Sequence, residues 1–186
     1  MLKKVFLALL LAGIYLSVVS CSDSKAESNS VKTPVYFINS VMPAQDGYMV
    51  DFKYKDGSKD RSLAELTKGK VVFLNFWGTW CGPCKKELPD IIEISKDLKN
   101  KDFIVIGVAL ERGTPEQAAK TVTEFGSGRG IDYVNFIGNQ DITNAYGKIP
   151  AVPTTFIIDK NGKIVEKIVG ARDKATFMAS INRVLK

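Results

Sequence analysis

The chain has 186 residues, a hydrophobic fraction of 45%, a charged fraction of 25% and a formal net charge of +6. These values are those of a globular protein with room for one domain of ordinary size plus appendages. The positive charge forms no dense basic stripe, which argues against a nucleic-acid partner. The chain contains no histidine and only three cysteines, which is too few soft ligands for a zinc site.

The first twenty residues have the organisation of an export signal. Lys3 and Lys4 form a positive start, an apolar stretch runs from Val5 to Val19, and small residues precede Cys21. The stretch is too short, and too closely followed by polar residues, for a convincing permanent membrane span. The sequence therefore predicts a signal peptide over residues 1–20 and a domain outside the cytoplasm.

Residues 18–21, Val-Val-Ser-Cys, resemble a bacterial lipobox, in which Cys21 becomes the lipid-modified first residue of the mature protein. The alternatives are an ordinary secretory signal with an incidental cysteine, or an uncleaved anchor. We favour the lipoprotein, because the cysteine falls where the apolar run ends and cleavage would occur. Residues 21–33 are predicted to form a flexible tether, since they carry too little apolar surface to fold.

Residues 34–186 carry the strand–helix alternation of one α/β domain, which implies right-handed crossovers and a partly parallel sheet. Continuous apolar runs predict strands buried on both faces, and Ser or Thr caps predict helix starts. The first two strands, with a turn at residues 45–47, indicate an N-terminal hairpin. The predicted elements are strands at Val35–Ile38 and Tyr48–Tyr54, a helix at Ser62–Thr67, a strand at Val71–Phe76, a helix after Cys81, a strand at Phe103–Leu110, a helix at Thr114–Phe125, a strand at Tyr133–Ile137, a helical turn at Asp141–Tyr146, strands at Thr155–Ile158 and Ile164–Val169, and a helix at Asp173–Leu185.

Two cysteines separated by two residues, Cys81-Gly82-Pro83-Cys84, open the helix that follows the strand at 71–76. The free N–H groups and the positive dipole end of a helix favour a thiolate, which is the form that attacks disulfides. Gly82 allows tight backbone geometry and Pro83 suits a first helical turn. A purely structural disulfide closing so small a loop would constrain the unfolded chain little. This arrangement therefore indicates redox chemistry.

The stretch from Asn75 to Pro89, Asn-Phe-Trp-Gly-Thr-Trp-Cys-Gly-Pro-Cys-Lys-Lys-Glu-Leu-Pro, resembles the membrane-tethered TlpA/ResA branch of the thioredoxin superfamily. The resemblance implies a thioredoxin fold: a central mixed sheet flanked by helices, with an N-terminal β-hairpin and a βα-type insertion. It also implies a thiol–disulfide oxidoreductase without metal or cofactor. In that family Cys81 would be the exposed nucleophile, and Cys84 would resolve the mixed disulfide.

Val152, Pro153 and Thr154 precede a predicted strand and resemble the cis-proline element of thioredoxin folds. In that family the proline faces the dithiol, and the neighbouring backbone pairs with the substrate's chain. The alternative is a trans proline at a strand's first position, where a missing donor is tolerated. With the dithiol upstream, we expect a cis bond and a catalytic role for Pro153. The expected substrate-binding residues are Trp80, Gly82, Pro83, Val152 and Thr154.

Cys84 must lose a proton before it can attack. Thioredoxin itself uses a buried aspartate six residues before the first cysteine, but here that position is Asn75, which cannot exchange a proton near neutral pH. Glu87 lies one helical turn after Cys84 on the same face, and it matches the TlpA/ResA pattern. Burial would raise the pKa of Glu87 and let it shuttle the proton, whereas the alternative is a solvated helix carboxylate.

Gly-Pro between the cysteines resembles the reducing members of the superfamily, so an envelope reductase is the leading expectation. The outside compartment is oxidising, and a reductase there needs electrons supplied through the membrane. The resemblance implies a DsbD- or CcdA-like transmembrane donor, and disulfides of exported proteins such as apocytochrome c as substrates. An oxidase or disulfide isomerase on the same fold is the alternative. A Sco-like copper-binding protein is remote, because that site needs a Cys-x3-Cys pair and a histidine.

Overall fold

The computed structural model describes residues 31–185, which form one mixed sheet with helices on both faces. The elements in chain order are β1 (Val35–Val41), β2 (Phe52–Asp56), β3 (Lys59–Ser62), α1 (Leu63–Thr67), β4 (Val71–Trp77), α2 (Gly82–Asp97), β5 (Phe103–Ala109), α3 (Pro115–Ser127), β6 (Val134–Ile137), α4 (Gln140–Ala145), β7 (Thr154–Ile158), β8 (Ile164–Val169) and α5 (Lys174–Asn182). The eight strands lie in the order β3-β2-β1-β6-β5-β4-β7-β8.

The centre of the sheet is parallel and its flanks are antiparallel. β1, β6, β5 and β4 run in the same direction, whereas β7 and β8 follow antiparallel on one side and β2 and β3 on the other. β4 is buried along its whole length, as expected for a central strand covered on both faces. The predicted α/β class, a mixed sheet flanked by helices, is confirmed.

Two apolar layers hold the central strand in place. On one face α2, α3 and α5 bury side chains such as Leu88 and Phe177. On the other face α1 and α4 bury Leu63 and Ile142. Phe177 packs edge-on against Phe73 of β4, with 4.9 Å between the ring centroids. Close packing on both faces leaves β4 little freedom, so the residues that follow its end are rigidly positioned.

The Ser and Thr caps that the sequence predicts are present at the starts of α1 and α3. Ser62 caps α1 in a reciprocal arrangement, because its hydroxyl accepts the Glu65 N–H and the Glu65 carboxylate accepts the Ser62 N–H. Thr114 caps α3 in the same way with Gln117. Each reciprocal cap satisfies two backbone N–H donors at a helix start.

The N-terminal hairpin differs in detail from the prediction. β2 begins at Phe52, so the predicted strand that starts at Tyr48 is wrong over residues 48–51. This segment pairs instead with the β7–β8 hairpin, where the Met49 N–H donates to the Gly162 carbonyl over 2.8 Å. β3 forms a hairpin with β2, although its sequence, Lys-Asp-Arg-Ser, lacks the apolar alternation that predicts a strand.

The folded domain starts no later than Thr33, one residue before the predicted boundary at 34. Thr33 is buried, its hydroxyl donates to the Ile131 carbonyl over 2.7 Å, and its N–H donates to the Ser127 hydroxyl over 3.2 Å. A Cβ added at Gly126 would lie 2.6 Å from the Thr33 hydroxyl oxygen, so this contact requires glycine there.

The predicted signal peptide, Cys21 and the tether up to residue 30 lie outside the described residues. Among residues 31–185, no helix has the length and apolar character needed to cross a bilayer.

Candidate active site

The site lies where the parallel strands end. β4 finishes at Trp77, a short turn follows, and Cys81 stands at the N-cap of α2. The Cys81 N–H donates to the Gly78 carbonyl over 3.1 Å, which closes the turn. The carboxyl edge of parallel strands is where open α/β sheets form their binding crevices, so the dithiol occupies the accessible end of the sheet.

Cys81 and Cys84 form a disulfide, with their Cα atoms 5.3 Å apart. The Cys84 N–H is directed at the Cys81 sulfur over 3.1 Å. This donor and the positive end of the α2 dipole stabilise a thiolate at Cys81 once the disulfide is reduced. Cys81 is only 4% exposed, so the expectation of an exposed sulfur is wrong for this oxidised form; Cys81 packs in the same apolar cluster as Trp77.

The Val152–Pro153 peptide bond is cis, as predicted. The Val152 carbonyl oxygen lies 3.5 Å from the Cys81 sulfur, which places this peptide group beside the disulfide. The Pro153 carbonyl accepts the Gly170 N–H, and Thr154 pairs within the sheet on both sides, with its side chain buried. Among the described residues nothing accepts the Val152 N–H, so the backbone donor of Val152 remains available to another chain.

An exposed rim surrounds the disulfide. Gly82 and Pro83 are exposed at the start of α2, and Trp80 is 49% exposed. The Trp80 indole N–H donates to the Leu110 carbonyl over 2.9 Å, and the Arg112 guanidinium lies 5.5 Å from the ring centroid. These contacts hold a flat apolar surface beside the dithiol, suited to contact with a partner protein.

Glu87 is a buried carboxyl group on the same face of α2 as Cys84. It is 2% exposed, its Oε1 accepts an N–H of Asn75 over 3.1 Å, and its Oε2 accepts the Arg172 backbone N–H over 3.3 Å. Burial, opposed by these hydrogen bonds, raises the pKa of Glu87 to about 7. The burial excludes the alternative of a solvated helix carboxylate, and the group can gain or lose a proton near neutral pH.

The donor set of the described residues does not suit a metal ion. Within residues 31–185, no three or more histidine, cysteine, aspartate or glutamate side chains are grouped so that they could hold one. Both cysteines of this region are bonded to each other. The Cys81–Cys84 disulfide can exchange with the thiols of another protein.

The sequence of this domain matches a known protein family. The Redoxin family model matches residues 43–185. The chain belongs to the Redoxin family. It is 40% identical over 118 residues to the thiol-disulfide oxidoreductase ResA of Bacillus thuringiensis, a match that covers 63% of this chain and 65% of that relative. The chain thus matches less than two thirds of the length of this ResA.

Two solved structures resemble this Redoxin-family protein. A thiol:disulfide interchange protein of the thioredoxin family from Chlorobium tepidum has a TM-score of 0.61 and 28% identity, covering 83% of this chain and 97% of that one. The exposed lipoprotein thioredoxin Etrx1 of Streptococcus pneumoniae has a TM-score of 0.56 and 30% identity, covering 72% of this chain and 98% of that one. The resemblance to the TlpA/ResA branch of the thioredoxin superfamily is confirmed.

Glu111 is a site residue of the Redoxin-family domain that the sequence analysis does not single out. Its carboxylate accepts the Thr79 N–H and, over 3.0 Å, the Thr79 hydroxyl, so it anchors the turn that leads to the dithiol. The sequence indicates the region in which such a residue lies, but not the contact with Thr79. β5 ends opposite Trp77 in the parallel ladder, so a polar residue just after β5 must lie near the turn after β4.

We expect the free energy of unfolding to depend on pH through the ionisation of Glu87. Its pKa is about 7 in the folded protein against an ordinary 4.5, so the unfolded chain ionises first as pH rises. The stabilisation from the protonated carboxyl is fully present below pH 4.5 and is lost as pH approaches 7, by up to about 3 kcal/mol. Denaturant unfolding of Glu87→Gln between pH 4.5 and 8 should lack this loss. Glu116→Gln, on the exposed start of α3, should show the same loss of stability as the parent protein. An equal change of the free energy of unfolding with pH in the parent and in both variants would contradict the expectation.

Proposed function

We propose that this protein is an envelope thiol–disulfide oxidoreductase that reduces disulfides of exported proteins through Cys81 and Cys84. The observation that carries the proposal is the Val152 peptide group beside the disulfide, 3.5 Å from the Cys81 sulfur. A client chain that adds to this free backbone as a short strand brings its own sulfur against Cys81. The Bacillus thuringiensis relative is named a thiol-disulfide oxidoreductase, which supports the same chemistry.

Residues of this site supply the electrons and the proton that the reductive cycle needs. The Cys81 thiolate attacks a client disulfide, which forms a mixed disulfide and releases one client thiolate. Cys84 gives its proton to the Glu87 carboxylate and attacks the Cys81 sulfur, which closes the intramolecular disulfide and releases the second client thiolate. Glu87 then returns the proton to the departing sulfur. Two electrons pass from the protein to the client.

The partners follow from the resemblance and from the compartment. A reductase in an oxidising compartment is re-reduced by electrons that cross the membrane, and a DsbD- or CcdA-like protein supplies them in this proposal. The client is apocytochrome c, whose Cys-x-x-Cys-His thiols must be reduced before haem attaches. The domain is held at the membrane by a lipid on Cys21 after removal of residues 1–20. Etrx1 is described as an exposed lipoprotein, which supports that placement.

The proposal is tested by electron transfer to a synthetic peptide that contains an oxidised Cys-x-x-Cys-His motif. The reduced protein is expected to convert the peptide to its dithiol with one equivalent of protein oxidised per peptide. A matched peptide with alanine in place of the histidine measures any preference for the haem-binding motif. Failure to reduce either peptide would contradict a reductase, whereas equal rates would remove the argument for a cytochrome client.

A further inference from the structure

A groove runs along the outer side of α2, away from the contacts that form the dithiol site. It has a volume of about 380 Å³ and an apolar floor formed by Leu88, Pro89 and Ile92. Lys85, which directly follows the resolving cysteine, lines one end, and Lys96 lines the other about 16 Å further along the helix axis. The groove therefore begins one residue after Cys84 in the sequence, and its length matches about five residues of extended chain.

The rim of this α2 groove carries an excess of positive charge. Glu93 is engaged by Lys174 of α5, with 2.6 Å between the charged atoms. Among the described residues, the cations of the groove have no carboxylate partner within ion-pair distance. The Arg129 guanidinium lies 4.3 Å from the Phe125 ring centroid, which holds that charge at the side of the groove. The charged lining residues are Lys85, Glu93, Lys96 and Arg129.

We propose that the α2 groove binds an acidic, apolar segment of the client protein next to the client's reactive cysteine. Large side chains of the client cover the floor, and its carboxylates face the cations of the rim. A client whose sulfur is held at Cys81 has its neighbouring residues within reach of Lys85, where the groove begins. The chain's own polar stretch at residues 22–33 is unsuited to the floor, because it carries almost no large apolar side chains.

This inference rests on the proposed oxidoreductase function and adds a sequence preference to it. The groove contacts do not touch the reacting sulfurs, so they strengthen binding of substrate and transition state equally. Such contacts lower KM and leave kcat unchanged. The preference is therefore visible as a difference in KM between clients that differ only in charge.

The test uses two peptides in which a disulfide-linked cysteine precedes a short spacer and the segment Glu-Leu-Glu-Phe-Glu or Lys-Leu-Lys-Phe-Lys. The protein should show a lower KM for the acidic peptide and the same kcat for both. Lys96→Glu and Arg129→Glu should each raise the KM for the acidic peptide by about five- to tenfold. Lys163→Glu makes the same charge change on the β7–β8 hairpin and should alter neither KM.

Equal KM values for the two peptides, or groove variants that behave as Lys163→Glu does, would overturn the proposal. Reduction of neutral hydroxyethyl disulfide reports the basal chemistry. If the protein reduces hydroxyethyl disulfide normally but shows no preference between the peptides, only the groove assignment is wrong. If it does not reduce hydroxyethyl disulfide, the proposed oxidoreductase function is wrong. Binding to vesicles of anionic phospholipid that Lys96→Glu abolishes, with unchanged peptide KM values, would assign the groove to a membrane surface and also overturn the proposal.

Discussion

Replacement of Cys84 by alanine is expected to leave the protein covalently joined to its clients, and replacement of Cys81 to abolish exchange. In the proposed cycle Cys81 forms the mixed disulfide, and Cys84, which is bonded to Cys81 in the oxidised protein, releases the client. Cys84 lies inside the first turn of α2, whereas Cys81 stands at its N-cap, so we expect that Cys84 does not replace Cys81 as the attacking group. Insulin reduction under dithiothreitol should fall by about three orders of magnitude or more in either variant.

The adducts are measured by alkylating intact cells, separating proteins without reductant and identifying the partners by mass spectrometry. Cys21 is kept in all variants, so that any membrane attachment is the same. The double variant Cys81→Ala/Cys84→Ala is the matched control and should show no adducts. Adducts that depend on Cys84 rather than Cys81, or that are equally abundant in every variant, would contradict the roles assigned to the two sulfurs.

Glu87→Gln is expected to slow the release of client from the mixed disulfide by about a hundredfold near neutral pH. In the proposed cycle the Glu87 carboxylate accepts the Cys84 proton; it is buried on the Cys84 face of α2, and burial raises its pKa to about 7. Below that pH it is protonated and cannot take the Cys84 proton, so the rate in the parent protein should fall as pH decreases through 7. Glutamine has the same size but cannot accept the proton, so the variant should lack this step.

Rapid-quench measurement of the mixed-disulfide lifetime between pH 5 and 9 gives both the rate and its pH profile. Glu116→Gln removes an exposed carboxylate from α3 and should leave both unchanged. If Glu87→Gln shows the rate and the pH profile of the parent, Glu87 is a structural residue and another group accepts the proton.

The dithiol element was predictable because its signals are local and agree with one another. A continuous apolar run, a cysteine pair at a helix start and a proline before a later strand lie in short stretches of sequence. The structure places β4, α2 and the cis bond before Pro153 accordingly. β8 has the predicted bounds because turns that contain Gly162 and Gly170 limit its Ile-Val-Glu-Lys-Ile-Val stretch on both sides.

The contacts that tune the site were not predictable, because they join distant parts of the chain. The Arg172 N–H reaches Glu87 from a loop 85 residues away, and Thr79 meets Glu111 from a separation of 32 residues. A backbone N–H is present in every residue except proline, so the sequence does not show which one reaches a distant carboxylate. β3 was not predicted for a different reason. It is a charged edge strand, and its pairing depends on the turn that joins it to β2 and not on apolar alternation.

An equilibrium redox titration of the Cys81–Cys84 couple in thiol buffers, followed by alkylation of free thiols, measures whether the protein is a reversible reductant. We expect one two-electron transition, with a tenfold change in the ratio of oxidised to reduced protein for each ~30 mV. Its midpoint should lie near that of thioredoxin, about −270 mV. A midpoint near about −120 mV would make the protein an oxidant, and the absence of a reversible transition would contradict a redox role for the two cysteines.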